Sequence, residues 1–271
     1  MNIFFLSIDP EEAARDMCDP HVVKMTLEST QLLFTCHHLV STSTEWILRF
    51  QSETGKEPYK ASHQKHGCQI WLQQGSANYE WLCRHAVAMV AEYKRRYGDK
   101  PMSVEPLLQW LQNNVPDNLP RTKQLTEIYL AMPEECKYYW YVESTESYEN
   151  MLNRTVQSYR LYYLLFKSRF ARYYYTKVPY WLEETLFYIQ SLSDSDYLSL
   201  IPQESPMRKV ILKKPPKVPK GIRSRVARKR TKSINADKQI TAPIVKDEPY
   251  PDVKFRRITR SMTESPLHNL L

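Results

Sequence analysis

The sequence predicts a mainly α-helical single domain over residues 1–195, followed by a disordered, basic and proline-rich tail over residues 196–271. Three observations lead to this prediction. Helix-start signals precede apolar residues at helical spacing, the 271 residues include only 5 glycines, and the composition changes near residue 200. No apolar run reaches the roughly 18 residues of a membrane span, so we expect no membrane partner.

The first part of the domain should contain a short edge strand and two helices. The apolar run Ile3–Leu6 is long enough for the strand. The Asp-Pro pair at positions 9 and 10 is a helix start and predicts a helix over Pro10–Met17. The Asp-Pro pair at positions 19 and 20 repeats this signal. A second helix should therefore begin there, with Asp19 as its cap, and end near Leu39.

Four further helices and one ambiguous segment should complete the domain. Serine at a helix start, glycine at a helix end and proline in the first turn define their limits. In chain order we predict helices over Ser76–Tyr97, Pro106–Leu111, Ser144–Tyr175 and Pro179–Leu192, the third being the longest, and a strand or helical turn over Leu125–Leu130.

The positive charge of the chain is concentrated in the tail. Residues 203–271 hold 18 Lys and Arg against 6 Asp and Glu, a balance of +12, whereas the whole chain carries +8. An unfolded cationic segment binds the phosphate backbone of DNA by counterion release, and its basic clusters are typical of a nuclear-import signal. The residues predicted to contact DNA or an import receptor are Arg223, Arg225, Arg228, Lys229 and Arg230.

Polar residues form one narrow stripe along the second predicted helix. At about 100° per residue, His21, Lys24, Glu28, Gln31 and Thr35 fall within an arc of roughly 80°, between apolar borders. An exposed helix face usually carries a broader polar arc, so the stripe predicts a cleft. An ammonium beside a carboxylate suits reactions on sugars and bases, which makes Lys24, Glu28 and His21 candidate catalytic residues. The alternative is a simple ion pair between Lys24 and Glu28.

Histidine and cysteine spacing raises the question of a metal site. Cys18 and His21 are three positions apart, as are His63 and His66, and these four side chains could hold zinc. However, no Cys-x2-Cys pair occurs, so we predict no metal and no other cofactor. The five cysteines are expected to be free thiols in a reducing, intracellular compartment.

Aromatic and cationic side chains alternate on the predicted helix that ends near residue 175. Arg160 and Lys167 fall near one line, flanked by Tyr159 and Tyr162. Rings that stack on bases and cations that bind phosphates are typical of nucleic-acid grooves. The alternative is that the tyrosines simply pack in the core. We name Arg160 and Lys167, together with the two histidines at positions 63 and 66, as candidate DNA contacts.

Several motifs recur together in one order over about residues 1–182. They are Asn2-Ile3-Phe4, Cys18-Asp19-Pro20-His21-Val22-Val23-Lys24-Met25, Glu28-x2-Gln31-Leu32-Leu33, His63-x2-His66 before Trp71, Asn78-Tyr79-x-Trp81-Leu82, Glu92-Tyr93-x2-Arg96-Tyr97-Gly98, Ala131-Met132-Pro133, Tyr159-Arg160-x-Tyr162-Tyr163-x3-Lys167 and Pro179-x-Trp181. This pattern resembles a family of small helical proteins of bacteriophages and large DNA viruses. It is also distantly similar to pyrimidine-dimer DNA glycosylases.

The resemblance implies a viral DNA-processing protein located in the host nucleus or the virion. Enzymes of this kind flip a base, attack the deoxyribose C1′ with an amine and use a carboxylate to assist. Glu28 would be the carboxylate, Lys24 or the terminal amine would attack, and His21, His63 and His66 would lie near the lesion. Two alternatives remain open. They are a non-catalytic protein that binds DNA or packages it with virion components, and a zinc-stabilised interaction module.

Overall fold

The computed structural model describes residues 1–138, 146–205, 207 and 208, which lie within one compact unit, Met1–Lys213. Within these residues the regular structure is helical and no β-strand occurs, so the predicted mainly α fold class is confirmed. The α-helices are α1 (Pro10–Asp16), α2 (Asp19–Val40), α3 (Glu45–Thr54), α4 (Gly67–Leu72), α5 (Ser76–Tyr97), α6 (Glu105–Asn113), α7 (Tyr148–Phe166), α8 (Tyr180–Ser191) and α9 (Asp194–Ser199), and Glu134–Cys136 forms a short 3-10 helix.

Helices α2 and α5 organise the core. Each has 22 residues, and α5 packs against α2, α1 and α6. Apolar side chains at helical spacing, among them Leu32 and Leu33 on α2 and Leu82 and Ala86 on α5, are fully buried. Their removal from water is the main stabilising contribution to the domain. None of the helices in the described part of the chain has the length and apolarity needed to cross a membrane.

The start of α1 agrees with the sequence, whereas the start of α2 does not. The Asp9 carboxylate accepts the N–H groups of Glu11 and Glu12, as a capping residue should. The prediction that Asp19 caps α2 is wrong, because Asp19 is the first helical residue and Cys18 occupies the cap position. The Asp19 carboxylate is instead used in tertiary contacts described below.

The segment predicted as an edge strand is an irregular, buried chain. Phe4 has a φ of 53°, in the left-handed region that a bulky residue rarely adopts and that interrupts an extended strand. The Phe4 N–H donates to the Asn2 side chain at 2.8 Å, and the Asn2 amide donates to the carbonyl of Ala131 at 2.7 Å. The segment Leu125–Leu130, predicted as a strand or helical turn, is likewise irregular.

Two unpredicted helices and two boundaries also differ from the prediction. Helices α3 and α4 were not predicted, and folded structure continues past residue 195, because α9 buries Tyr197. Helix α7 ends at Phe166 rather than at residue 175, since the N–H and hydroxyl of Ser168 both donate to the Tyr163 carbonyl. The tail residues Arg223, Arg225, Arg228, Lys229 and Arg230 lie outside the described residues.

Candidate functional site

The predicted polar stripe on α2 lies at the border between the core and solvent. The Lys24 side chain is 70% exposed and its Nζ lies 3.1 Å from Oε1 of Glu28, which is 16% exposed. Val23 and Leu27, predicted as part of an apolar border, are exposed. The stripe is therefore open to solvent on one side, and the ion pair considered as the alternative interpretation is present.

His21 is held rigidly at one end of the stripe. Its Nδ1 lies 2.8 Å from the hydroxyl of Tyr163, and its ring stacks on Phe4 with centroids 4.5 Å apart. Burial, followed by the positive charges of Lys167 and Lys24, lowers the pKa of His21 to about 3. The ring is therefore neutral at physiological pH. It can orient a ligand through a hydrogen bond, but it carries no positive charge.

Lys167 follows the last residue of α7 and lies against aromatic rings. Its Nζ is 4.4 Å from the ring centroid of Tyr162, 5.8 Å from that of Phe4 and 5.9 Å from that of Phe170. Burial is the main reason that the pKa of Lys167 falls to about 8, and the charge of Lys24 adds to the effect. The charges of Lys167 and Lys24 thus both act on His21, and the charge of Lys24 also acts on Lys167.

His66 lies at the other end of the stripe. Its Nδ1 accepts the N–H of Cys68 at 3.2 Å, and its ring lies 6.1 Å from the exposed ring of Tyr129. Burial, the terminal amine and His63 lower the pKa of His66, while the Glu28 carboxylate opposes them. A Cβ at position 67 would collide with Tyr129, so Gly67 allows this ring to approach the start of α4.

Electrostatic interactions link six of the predicted residues, and we call this set the polar strip. Lys167 and Lys24 act on His21, Lys24 pairs with Glu28, and Glu28 and His63 act on His66. Exposed aromatic rings flank both ends, since Phe170 meets the edge of His21 and Tyr129 meets His66.

Arg160 does not belong to the polar strip. Its Nε donates to the Leu6 carbonyl at 2.9 Å, and its guanidinium lies 5.1 Å from a Trp181 ring centroid. Its Nη2 is 4.0 Å from the Asp16 carboxylate, and the side chain is only 14% exposed. The predicted role of Arg160 in DNA contact is poorly supported by this position, because its charge and donors are used inside the domain.

The four residues considered for zinc are not brought together. The described residues contain no group of three or more His, Cys, Asp or Glu side chains that could hold a metal ion. Cys18 is buried, and its N–H donates to the Tyr163 hydroxyl at 2.8 Å. His63 is exposed, with a φ of 51°.

A buried ionic network holds the start of α2 in place. The fully buried Arg96 guanidinium donates to Glu92 at 2.9 Å, to the Met17 carbonyl at 2.7 Å and to the Arg15 carbonyl at 2.9 Å. It also lies 3.2 Å from Oδ1 of Asp19, whose other oxygen accepts the N–H of residue 174 at 2.7 Å. This network fixes the turn between α1 and α2 and hence the position of the polar strip.

Sequence reasoning missed the aromatic part of the site. Phe4, Tyr163 and Phe170 surround His21, yet neither helical spacing nor charge pattern marks them as neighbours of that residue. The motif Asn2-Ile3-Phe4 contains Phe4 and the motif that ends at Lys167 contains Tyr163, but no motif contains Phe170. Comparison of this chain with protein-family models, with curated proteins and with solved structures found no match.

Proposed function

We propose that this protein processes DNA as a glycosylase, or glycosylase and abasic-site lyase, that acts on damaged or modified bases. The observation that carries the proposal is the polar strip. Two lysine amines, a carboxylate and three histidines interact with one another in it, and exposed aromatic rings lie next to two of the histidines. The resemblance of the sequence motifs to pyrimidine-dimer DNA glycosylases supports the same reaction class.

The strip offers the groups that such a reaction needs. A base extruded from a duplex has to be held by stacking, and Phe170 and Tyr129 expose rings at the two ends of the strip. Glu28 is half-buried and one helical turn from Lys24. A carboxylate in this position can assist the departure of the base and stabilise positive charge that develops on the sugar.

Glu28→Gln is expected to lower turnover by about 10²–10⁴-fold, which is the usual contribution of a general acid or base. Binding should change little, because the side chain keeps its size and can still accept a hydrogen bond through one oxygen. The measurement is base release or strand cleavage on duplexes that carry a pyrimidine dimer or an abasic site. Glu45→Gln is the matched control, because Glu45 is exposed at the start of α3. Equal turnover by Glu28→Gln and the control would contradict the role of Glu28.

One observation favours a second candidate, a non-catalytic protein that binds or packages DNA. The Lys24–Glu28 ion pair is an i, i+4 contact at the helix surface, and such a pair accounts for both charges without any chemistry. This candidate predicts that the full chain binds every duplex without releasing a base or cleaving a strand. Product formed by the wild-type chain on any damaged duplex would exclude it.

Under both candidates the basic tail should supply much of the affinity for DNA. Replacing Arg223, Arg225, Arg228, Lys229 and Arg230 by Gln removes five positive charges. The slope of log affinity against log salt should become less steep by as much as about 4.5, since each phosphate contact contributes about 0.9. Titration of a duplex at several salt concentrations measures this slope. An unchanged slope would show that the tail does not bind phosphates.

A further inference from the structure

The amine of Lys167 has an environment unlike that of a surface lysine. The aliphatic part of the side chain is half-buried, and Nζ lies against the face of Tyr162, with Phe4 and Phe170 next to it. Aromatic faces stabilise a cation weakly compared with water, so most of the lost hydration is not replaced. The charged form of this amine is therefore disfavoured.

The nearby charges act in the same direction. The ion pairs formed among the described residues do not include Lys167. The charge with the largest effect on it is the ammonium of Lys24, which repels a second positive charge. Lys24, in contrast, is exposed and forms an ion pair with Glu28. Of the two lysines in the polar strip, Lys167 is thus the better nucleophile.

We propose that Lys167 is the attacking amine of the polar strip and that it forms a Schiff base with C1′ of a deoxyribose. This inference rests on the proposed function and names the reacting group of the same site. It differs from the expectation that Lys24 or the terminal amine attacks. It also replaces the simpler role of a phosphate contact that the sequence predicted for Lys167.

The reaction balances without an oxidant or a reductant. On a damaged nucleoside, Nζ bonds to C1′ while the bond from C1′ to the base breaks, and the base leaves with the electron pair and takes up one amine proton. The C1′–O4′ bond then opens as the C=N bond forms, and the second amine proton passes to O4′. On an abasic site, Nζ adds to the C1′ aldehyde to give a carbinolamine. Loss of water, which takes both amine protons and the aldehyde oxygen, leaves the C=N bond.

Neighbouring residues assist this amine by position. Neutral His21 can orient the sugar by a hydrogen bond without adding a positive charge beside the amine. At pH 7, an amine with a pKa of about 8 is neutral much more often than an ordinary lysine. The rate of imine formation should therefore rise with pH and level off above about pH 8.

Borohydride reduction of the full chain bound to a duplex with one abasic site tests the proposal. We expect a covalent adduct that mass spectrometry of the digested protein locates at Lys167. Lys167→Arg keeps the positive charge but cannot form an imine, so it should lose the adduct. Lys177→Arg, the matched control at an exposed lysine outside the polar strip, should keep it. An adduct located at Lys24 or Met1, or an undiminished adduct in Lys167→Arg, would overturn the inference while leaving the proposed function intact.

A second measurement separates this inference from the proposed function and needs no variant. The wild-type chain without DNA is treated with glycolaldehyde and cyanoborohydride at pH 7.5, and the modified lysines are mapped over time. Lys167 should be modified first. Suppose that Lys167 is modified first while no damaged duplex gives product or adduct. In that case the proposed function fails, and the assignment of Lys167 as the reactive amine stands. Modification at similar rates across the lysines would overturn the assignment.

Discussion

Arg96→Met is expected to lower the free energy of unfolding by about 3–5 kcal/mol, because removal of one partner from a buried ionic network leaves the others uncompensated. The Asp19 and Glu92 carboxylates would remain in a buried environment without their shared guanidinium, and the carbonyls of Met17 and Arg15 would lose a donor. For a domain of this size the melting temperature should fall by roughly 6–20 °C. Thermal and urea unfolding at pH 7 measure the change.

Arg95→Met is the matched control for this prediction. Arg95 is the preceding residue of α5 and also binds Glu92, with Nη2 2.6 Å from Oε2, but its side chain is 51% exposed. Exposed ion pairs contribute about 1 kcal/mol or less, so this variant should remain near wild-type stability. Equal losses in the two variants would show that burial of the network does not matter.

Phe4→Ala is expected to cost about 3–5 kcal/mol, the usual range for removal of a buried phenylalanine. The ring stacks on His21 and lies beside Lys167 and Tyr162, so the cavity would open next to the reactive amine. Water entering this space would solvate the ammonium, and the pKa of Lys167 would rise towards its ordinary value. The pH at which imine formation is half-maximal should therefore increase. It is measured by borohydride trapping on an abasic duplex between pH 6 and pH 10.

Phe5→Ala provides a control of similar cost. Phe5 is fully buried, but its ring packs on Trp81, with centroids 4.5 Å apart, rather than beside Lys167. It should destabilise the domain to a similar extent and leave the pH profile unchanged. Phe4→Leu and Phe5→Leu are milder forms of the same pair if the alanine variants do not fold. If the pH profile shifts equally in both variants, then instability, and not loss of the ring at position 4, changes the pKa of Lys167.

Local signals in the sequence predicted much of the fold. The Asp-Pro pair at positions 9 and 10 set the start of α1, and Gly98 follows the last residue of α5 as predicted. Such signals act within one helical turn and can be read without tertiary information. Helix α3 has Thr44 before its first residue and Gly55 after its last. However, it buries only Phe50 and exposes Leu48, so its apolar residues do not mark a core face. Its position depends on packing rather than on its own pattern.

The site was harder to predict because its geometry depends on contacts between distant residues. Spacing on α2 placed His21, Lys24 and Glu28 on one face, and they are neighbours in the structure. Spacing on α7 also placed Arg160 and Lys167 on one line, but Asp16 and Leu6 engage Arg160 from far along the chain. Helical periodicity contains no information about such partners.

Tyr129, which packs on Gly67, belongs to a short segment that contacts both ends of the polar strip. The Tyr129 carbonyl accepts the hydroxyl of Tyr159 on α7 at 2.8 Å, and two residues further on Ala131 holds Asn2 and therefore the backbone of Phe4. A movement of His66 would therefore shift Tyr129 and Ala131. Through Asn2, this shift would reach the ring of Phe4, which lies beside Lys167. Stacking of a base on Tyr129 and exposure of the amine would then be coupled events.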